Sequence, residues 1–305
     1  MSTDFGFWGV VIAVLGGAIR VGTPFLFVSL GECLTERSGR INLGLEGNLV
    51  MGAMLAYAVS FYTQSPFLGV LAAAGSGMLL GLLHAMLCQN KRVSHIAVGI
   101  ALMIFATGLA FFFGKAFIQP SAPRLPALSL GIWSDSPIVR AALEINALFF
   151  IGMALVPLLY FVLKNTRWGL MIRVAGESEN AARALGFNTR NIRWLSTMVG
   201  GALASVGGAY LSLYYPGSWN EGLSSGQGLM AVALVIFARW NPIYCFFASL
   251  LFGAAAALGP SLQSIGINWG YYLFNAAPYF LTLVILIVSS SADKTLDGMP
   301  GEFTR

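Results

Sequence analysis

The stretch "ERSGRINLGLEGN", residues 36–48, sets Glu36, Arg37, Arg40 and Glu46 among glycines and asparagines, with Glu32 just upstream, between two long apolar runs. A short polar break between runs of around 20 apolar residues reads as a turn between membrane spans. Glu46 does not fit that reading easily, because it stands four residues into the next apolar run, 43–62. A carboxylate at membrane depth costs at least a few kcal/mol and normally faces the interior of a helix bundle. Two roles are open to it. With Asn42 and Asn48 it can line a polar path, or it can pair with Arg37 or Arg40 and anchor a helix end at the interface.

Working outward, the whole chain supports the membrane reading. Charged residues make up 10% of the 305 positions and hydrophobic ones 57%, with a mean hydropathy of +0.76. Soluble domains run near roughly 25% and 45–50%. The excess apolar surface must therefore face lipid. The formal charge of +5 does not point to nucleic acid, since no basic run exceeds two residues. Cys33, Cys88 and Cys245 fall in or beside apolar runs without metal-ligand spacing and read as small buried hydrophobes. His84 and His95 lack a second ligand at helical spacing and read as helix-end histidines. The start of the chain has no basic n-region, so its first run reads as a retained span.

Nine runs can cross the hydrocarbon layer: 7–34, 43–62, 66–89, 94–113, 146–163, 194–214, 224–239, 242–258 and 271–290. The seventh is the shortest, bounded by glycines and by "RWNP". Sorting the basic residues by alternate connections puts thirteen on one side, including Arg37, Arg40, Arg183, Arg193, Lys91, Lys294 and Arg305, and only Lys115, Arg124 and Arg140 on the other. Arg20 falls inside the first span. This bias predicts the N-terminus outside and the C-terminus inside, which requires an odd number of spans. Residues 114–145 then lie outside, with too many prolines for a regular helix, and 164–193 lie inside.

"NLGLEGNLVMGAMLA" from Asn42 is echoed by "NEGLSSGQGLMAVALV" from Asn220. In the predicted topology the two enter the membrane from opposite sides, as inverted repeats around a midplane site do. The expected architecture is an all-α membrane protein in one domain. Repeat 1 covers about 7–113, repeat 2 about 194–290, and an external loop with the span 146–163 connects them. Candidate path residues are Asn42, Glu46, Asn48, Asn220 and Glu221, with Phe112 or its neighbours Phe111 and Phe113 available for ring stacking.

The inner segment 164–193, "KNTRWGLMIRVAGESENAARALGFNTRNIR", contains a helix-prone "SENAARAL", with Ser178 as an N-cap and Gly186 as a terminator. Its spaced Thr166, Arg167, Gly169, Ile172, Arg173, Gly176, Ala181, Ala182, Gly186 and Asn188 resemble the coupling segment of ABC importer permeases of the ribose and branched-chain amino acid type. "ERSGRINLGLEG" and "FARWNP" resemble the subgroup that takes up nucleosides and sometimes simple sugars. The resemblance covers residues 20 to 290. It implies contact with an ATPase through Glu177, Asn180, Ala181, Ala182, Arg183 and Gly186, the alanines making the close approach. It also implies a second related permease, an external substrate-binding lipoprotein and residence in a bacterial or archaeal plasma membrane. No G-x-x-x-x-G-K-[ST] occurs in the chain, so ATP and Mg are expected on the partner ATPase, with no cofactor or metal in this chain and no catalytic residue. The rival expectation is an ion-coupled secondary transporter.

Overall fold

A computed structural model describes residues 6–90, 92–264 and 276–289. Among these the chain is a helix bundle built from α1 (Gly6–Arg37), α2 (Leu45–Thr63), α3 (Pro66–Leu87), α4 (His95–Gly114), α6 (Ala147–Asn165), α9 (Thr189–Leu213), α10 (Gln227–Phe237), α11 (Pro242–Ser264) and α12 (Ala277–Ser289). Two further helices, α7 (Arg167–Glu177) and α8 (Glu179–Ala184), form the segment between α6 and α9. Each predicted span falls on one of these helices, although 271–275, Lys91, Lys294 and Arg305 lie outside the described residues. By length and apolarity five helices can cross a membrane: Val11–Arg37, Pro66–Leu87, His95–Phe117, Ala147–Asn165 and Pro242–Gln263.

The helices missing from that set have identifiable reasons. α2 and α9 are interior: α9 packs along α1, α2 and α3, and α2 also contacts α4. A helix surrounded by other helices needs small residues for close approach more than it needs an oily circumference. In α9, Gly200 and Gly201 repeat as Gly207 and Gly208, seven residues on, and so share one side of the helix. A Cβ at Gly201 would sit 2.2 Å from the Gly77 carbonyl oxygen of α3, and one at Gly208 only 2.0 Å from that of Leu49 in α2. The lipid-ready surface lies instead on the outer faces of α3, α4 and α6, where Leu71, Leu79, Ile104, Phe105 and Phe161 are exposed.

α10 is absent from the set because it is short. Its 11 residues span about 16 Å at 1.5 Å per residue, half a hydrocarbon layer.

Connections gather at the two ends of the bundle. At one end Arg193 reaches the carbonyl oxygens of Ser38 and Ala175, Arg37 that of Trp240, and Arg40 the ring of His95. At the other, Tyr57 and Ser60 donate to the carbonyls of Pro120 and Pro123 at 2.9 and 2.8 Å. Arg20 Nη2 donates to the Ala141 carbonyl at 2.5 Å, and the guanidinium sits over the Tyr215 ring.

The segment 114–145 departs from the all-α expectation. Ala127–Ser129 (β1) pairs antiparallel with Glu144–Asn146 (β2), and a short α5 (Pro137–Ala142) begins at a proline. The prolines exclude a long helix, and the backbone groups left over pair as a small hairpin instead.

Candidate functional site

The 38–44 connection folds back alongside α1. The Asn42 backbone N–H donates to Glu32 Oε1 at 2.8 Å, and the Asn42 side chain accepts from the Gly44 N–H at 2.9 Å. α2 therefore starts well inside the bundle. A Cβ at Gly47 would lie 2.8 Å from Cα of Met103, which stands eight residues into α4, a rise of roughly 12 Å.

At that depth Glu46 meets α10. Glu46 Oε1 accepts from Ser224 Oγ at 2.5 Å and from the Gly226 N–H at 3.1 Å, while Oε2 accepts from the Gly228 N–H at 2.7 Å. The N-cap of α10 is Gly226, which has no side chain to satisfy the first N–H groups of the helix. Glu46 supplies the missing acceptors from 180 positions away, and its negative charge matches the positive end of the helix dipole. The approach is tight, since a Cβ on Gly228 would fall 2.6 Å from the Glu46 Cα. Glu46 thus anchors a helix end, but the end belongs to the other half of the chain, and its hydrogen-bond partners here are not Arg37 or Arg40.

The opposite end of α10 is fixed by Glu36. The buried Trp240 indole N–H donates to the Glu36 carboxylate, and Arg37 Nε donates to the Trp240 carbonyl at 3.1 Å. Arg239 and Trp240 both take left-handed backbone, with φ of 50° and 53°, a conformation that costs a bulky residue about 1–2 kcal/mol. A half-length helix is therefore clamped between two glutamates ten positions apart.

The other sequence candidates separate. Asn48 is buried on the same turn as Glu46. Its carbonyl accepts from Ser205 Oγ at 2.8 Å, and its Nδ2 faces Gly201. Asn220 and Glu221 are exposed, and the Asn220 side chain closes a local turn onto the Gly222 N–H at 3.1 Å. Phe112 is 70% exposed, beside Phe113 on the outer surface of α4, away from Glu46. Sequence reading missed Ser224, Gly226, Gly228 and Trp240. The available signal was a glycine-rich helix start with no side-chain cap of its own, which inside a membrane demands an acceptor from elsewhere.

α7 and α8 form a second feature at the end of the bundle that holds Arg37 and Arg40. Ser178 caps α8, accepting from the Ala181 N–H at 3.2 Å, and Gly186 follows with φ of 77°. Ala182 is 0% exposed and packs with Leu34, Ile172, Ala175 and Ile192. Its small side chain serves internal packing rather than being presented at the surface. Glu177, Asn180, Ala181, Arg183 and Gly186 are exposed, and Leu185 is 59% exposed at the tip.

Comparison with known proteins adds to this geometry. The family described as branched-chain amino acid transport system / permease component matches residues 14–290. The chain is 31% identical to the nucleoside ABC transporter permease protein NupC of Lactococcus lactis over 293 residues, 90% of each. It is 29% identical to the guanosine ABC transporter permease protein NupQ of Bacillus subtilis over 301 residues, 91% of this chain and 92% of the relative. A putative glucose ABC transporter permease of Haloferax volcanii is 32% identical over 259 residues, 83% of this chain and 79% of the relative. In Lactococcus lactis and Bacillus subtilis a second permease with the same named substrate, NupB or NupP, also matches, at 23% and 22% identity. The chain belongs to the family of branched-chain amino acid transport system permease components.

Proposed function

We propose that this chain is a transmembrane subunit of an ATP-driven importer for nucleosides, with simple sugars as the next substrate class, in a bacterial or archaeal plasma membrane. The observation that carries the coupling part is the α7–α8 corner: an ordered, capped helix pair exposing Glu177, Asn180, Ala181, Arg183 and Leu185 at the end of an apolar bundle. In this reading that end faces the cytosol, with nine crossings and the N-terminus outside. An ATPase holding the nucleotide and magnesium seats α8 in a groove. The paired permeases of the two bacterial relatives support a second, related permease as partner, and an external binding lipoprotein delivers the solute.

The state of α10 supports an uncharged solute. In transporters with broken helices, a half-helix N-terminus at midplane commonly receives an anionic group of the substrate. Here that position is filled by Glu46. An amino acid carboxylate would have to displace an internal one, whereas a nucleoside or sugar would not. Alternating access then consists of one repeat rocking against the other around α10, with Asn42, Asn48 and the 220–226 turn beside the path.

Co-purification in mild detergent tests the assembly: an ATPase, a second permease and a lipoprotein should accompany the chain. In reconstituted vesicles, uptake should require ATP, and Leu185→Asp should abolish it along with ATPase stimulation while leaving membrane insertion unchanged. Uptake by this chain alone, driven by a proton or sodium gradient, would establish the ion-coupled alternative instead.

A further inference from the structure

The end of the bundle that carries α8 also holds a cavity of about 780 Å³, which shares Arg183 with the exposed α8 surface. Among the described residues four arginines line it, Arg40, Arg183, Arg190 and Arg193, against one acidic residue, Glu179. Glu179 is engaged by Arg183 and, at 3.3 Å, by Arg193. Arg40 and Arg193 are only 8% and 7% exposed, so the positive charge is built into the wall. Two long helices also begin at this cavity: α4 with Ser94 and His95, and α9 with Asn188 and Thr189. Each brings the positive end of its dipole. Phe187 and Trp194 complete the lining, with the Arg190 guanidinium 5.4 Å from the centre of the Trp194 ring.

We propose that this cavity binds a phosphate-bearing anion. Guanidinium N–H groups of Arg183 and Arg190, backed by the buried charge of Arg40 and of Arg193, which also serve His95, Ser38, Ala175 and Glu179, match the several oxygens of a phosphate better than the two of a carboxylate. The volume leaves room for more than a single phosphate group. Two sources share this chemistry: a free phosphorylated metabolite, or the headgroup of an anionic lipid at the membrane surface. The site shares Arg183 with the proposed ATPase surface, but its test is binding to the full-length chain without partners, and neither uptake nor ATP hydrolysis enters the readout.

Calorimetric titration of the full-length chain in a neutral detergent with inorganic pyrophosphate should give saturable binding that sodium chloride at equal ionic strength does not reproduce. In lipid discs, phosphatidylglycerol blocking that binding where phosphatidylcholine does not would assign the site to a headgroup. Equal binding in both discs would assign it to a free anion. The double variant R183Q/R190Q should bind roughly tenfold or more weakly, in line with lost charge-assisted contacts. Should its anion-free unfolding temperature also fall, Arg190→Lys alone, which keeps the charge but removes the fork, should still weaken binding. No saturable binding in detergent or in either disc, or binding of equal strength in all variants, overturns the proposal.

Discussion

Glu46, only 9% exposed, accepts two backbone N–H groups and a hydroxyl. In Glu46→Gln one oxygen becomes an amide nitrogen that cannot accept, so either the Gly226 or the Gly228 N–H is left unsatisfied at a cost of about 1–3 kcal/mol. Thermal unfolding in detergent should show the loss directly. Ser224→Ala removes one of the three donors and leaves both backbone contacts, so its effect should be distinctly smaller. Gly228→Ala should be worse than either, because its Cβ would enter the space of the Glu46 backbone. An unchanged unfolding temperature in Gly228→Ala would mean that α10 and α2 do not approach as described. Sequence alone posed the question of Glu46 and could not settle it, because the groups it satisfies lie about 180 positions downstream, in a turn whose own residues look ordinary.

At the scale of elements, the spans were legible wherever a helix is apolar and faces outward, as in α3, α4 and α6. α10 was legible only as a short apolar run between glycines and "RWNP". Hydropathy registers composition, and it cannot reveal that both ends of the run stop at glutamates belonging to other helices. The "SENAARAL" helix and its Ser178 and Gly186 boundaries could be read because capping is local chemistry. Which face of it turns inward could not, since Ala182 is buried by Leu34 and Ile192 from distant helices. Ala182→Arg should accordingly lower the yield of folded protein, measured by size-exclusion profile, whereas the exposed Ala181→Arg should leave folding intact and reduce ATPase stimulation. The glycine side of α9 yields a sharper expectation: Gly201→Leu has nowhere to place its side chain against α3 and should abolish the monodisperse peak altogether.

For the whole molecule, the two ends of the bundle differ in chemistry as well as in connectivity. One holds the α7–α8 corner and the arginine-lined cavity. The other carries the β1–β2 hairpin with exposed Leu128, Ile132 and Trp133. The native cysteines Cys33, Cys88 and Cys245 are buried, so introduced ones can report orientation. A cysteine at Trp133 should react with a membrane-impermeant maleimide on intact cells, and one at Leu185 only after permeabilisation. The reverse pattern would turn the proposed importer inside out.

The turn that ends α10 has a consequence of its own. Arg239 is exposed while holding a backbone shape suited to glycine, so Arg239→Gly should relax the chain there by about 1 kcal/mol without deleting a buried contact. Position 239 therefore acts as a tuning screw: it sets how stiffly the half-helix is mounted, and in the proposed importer turning it should change turnover speed while leaving the α8 face as it was.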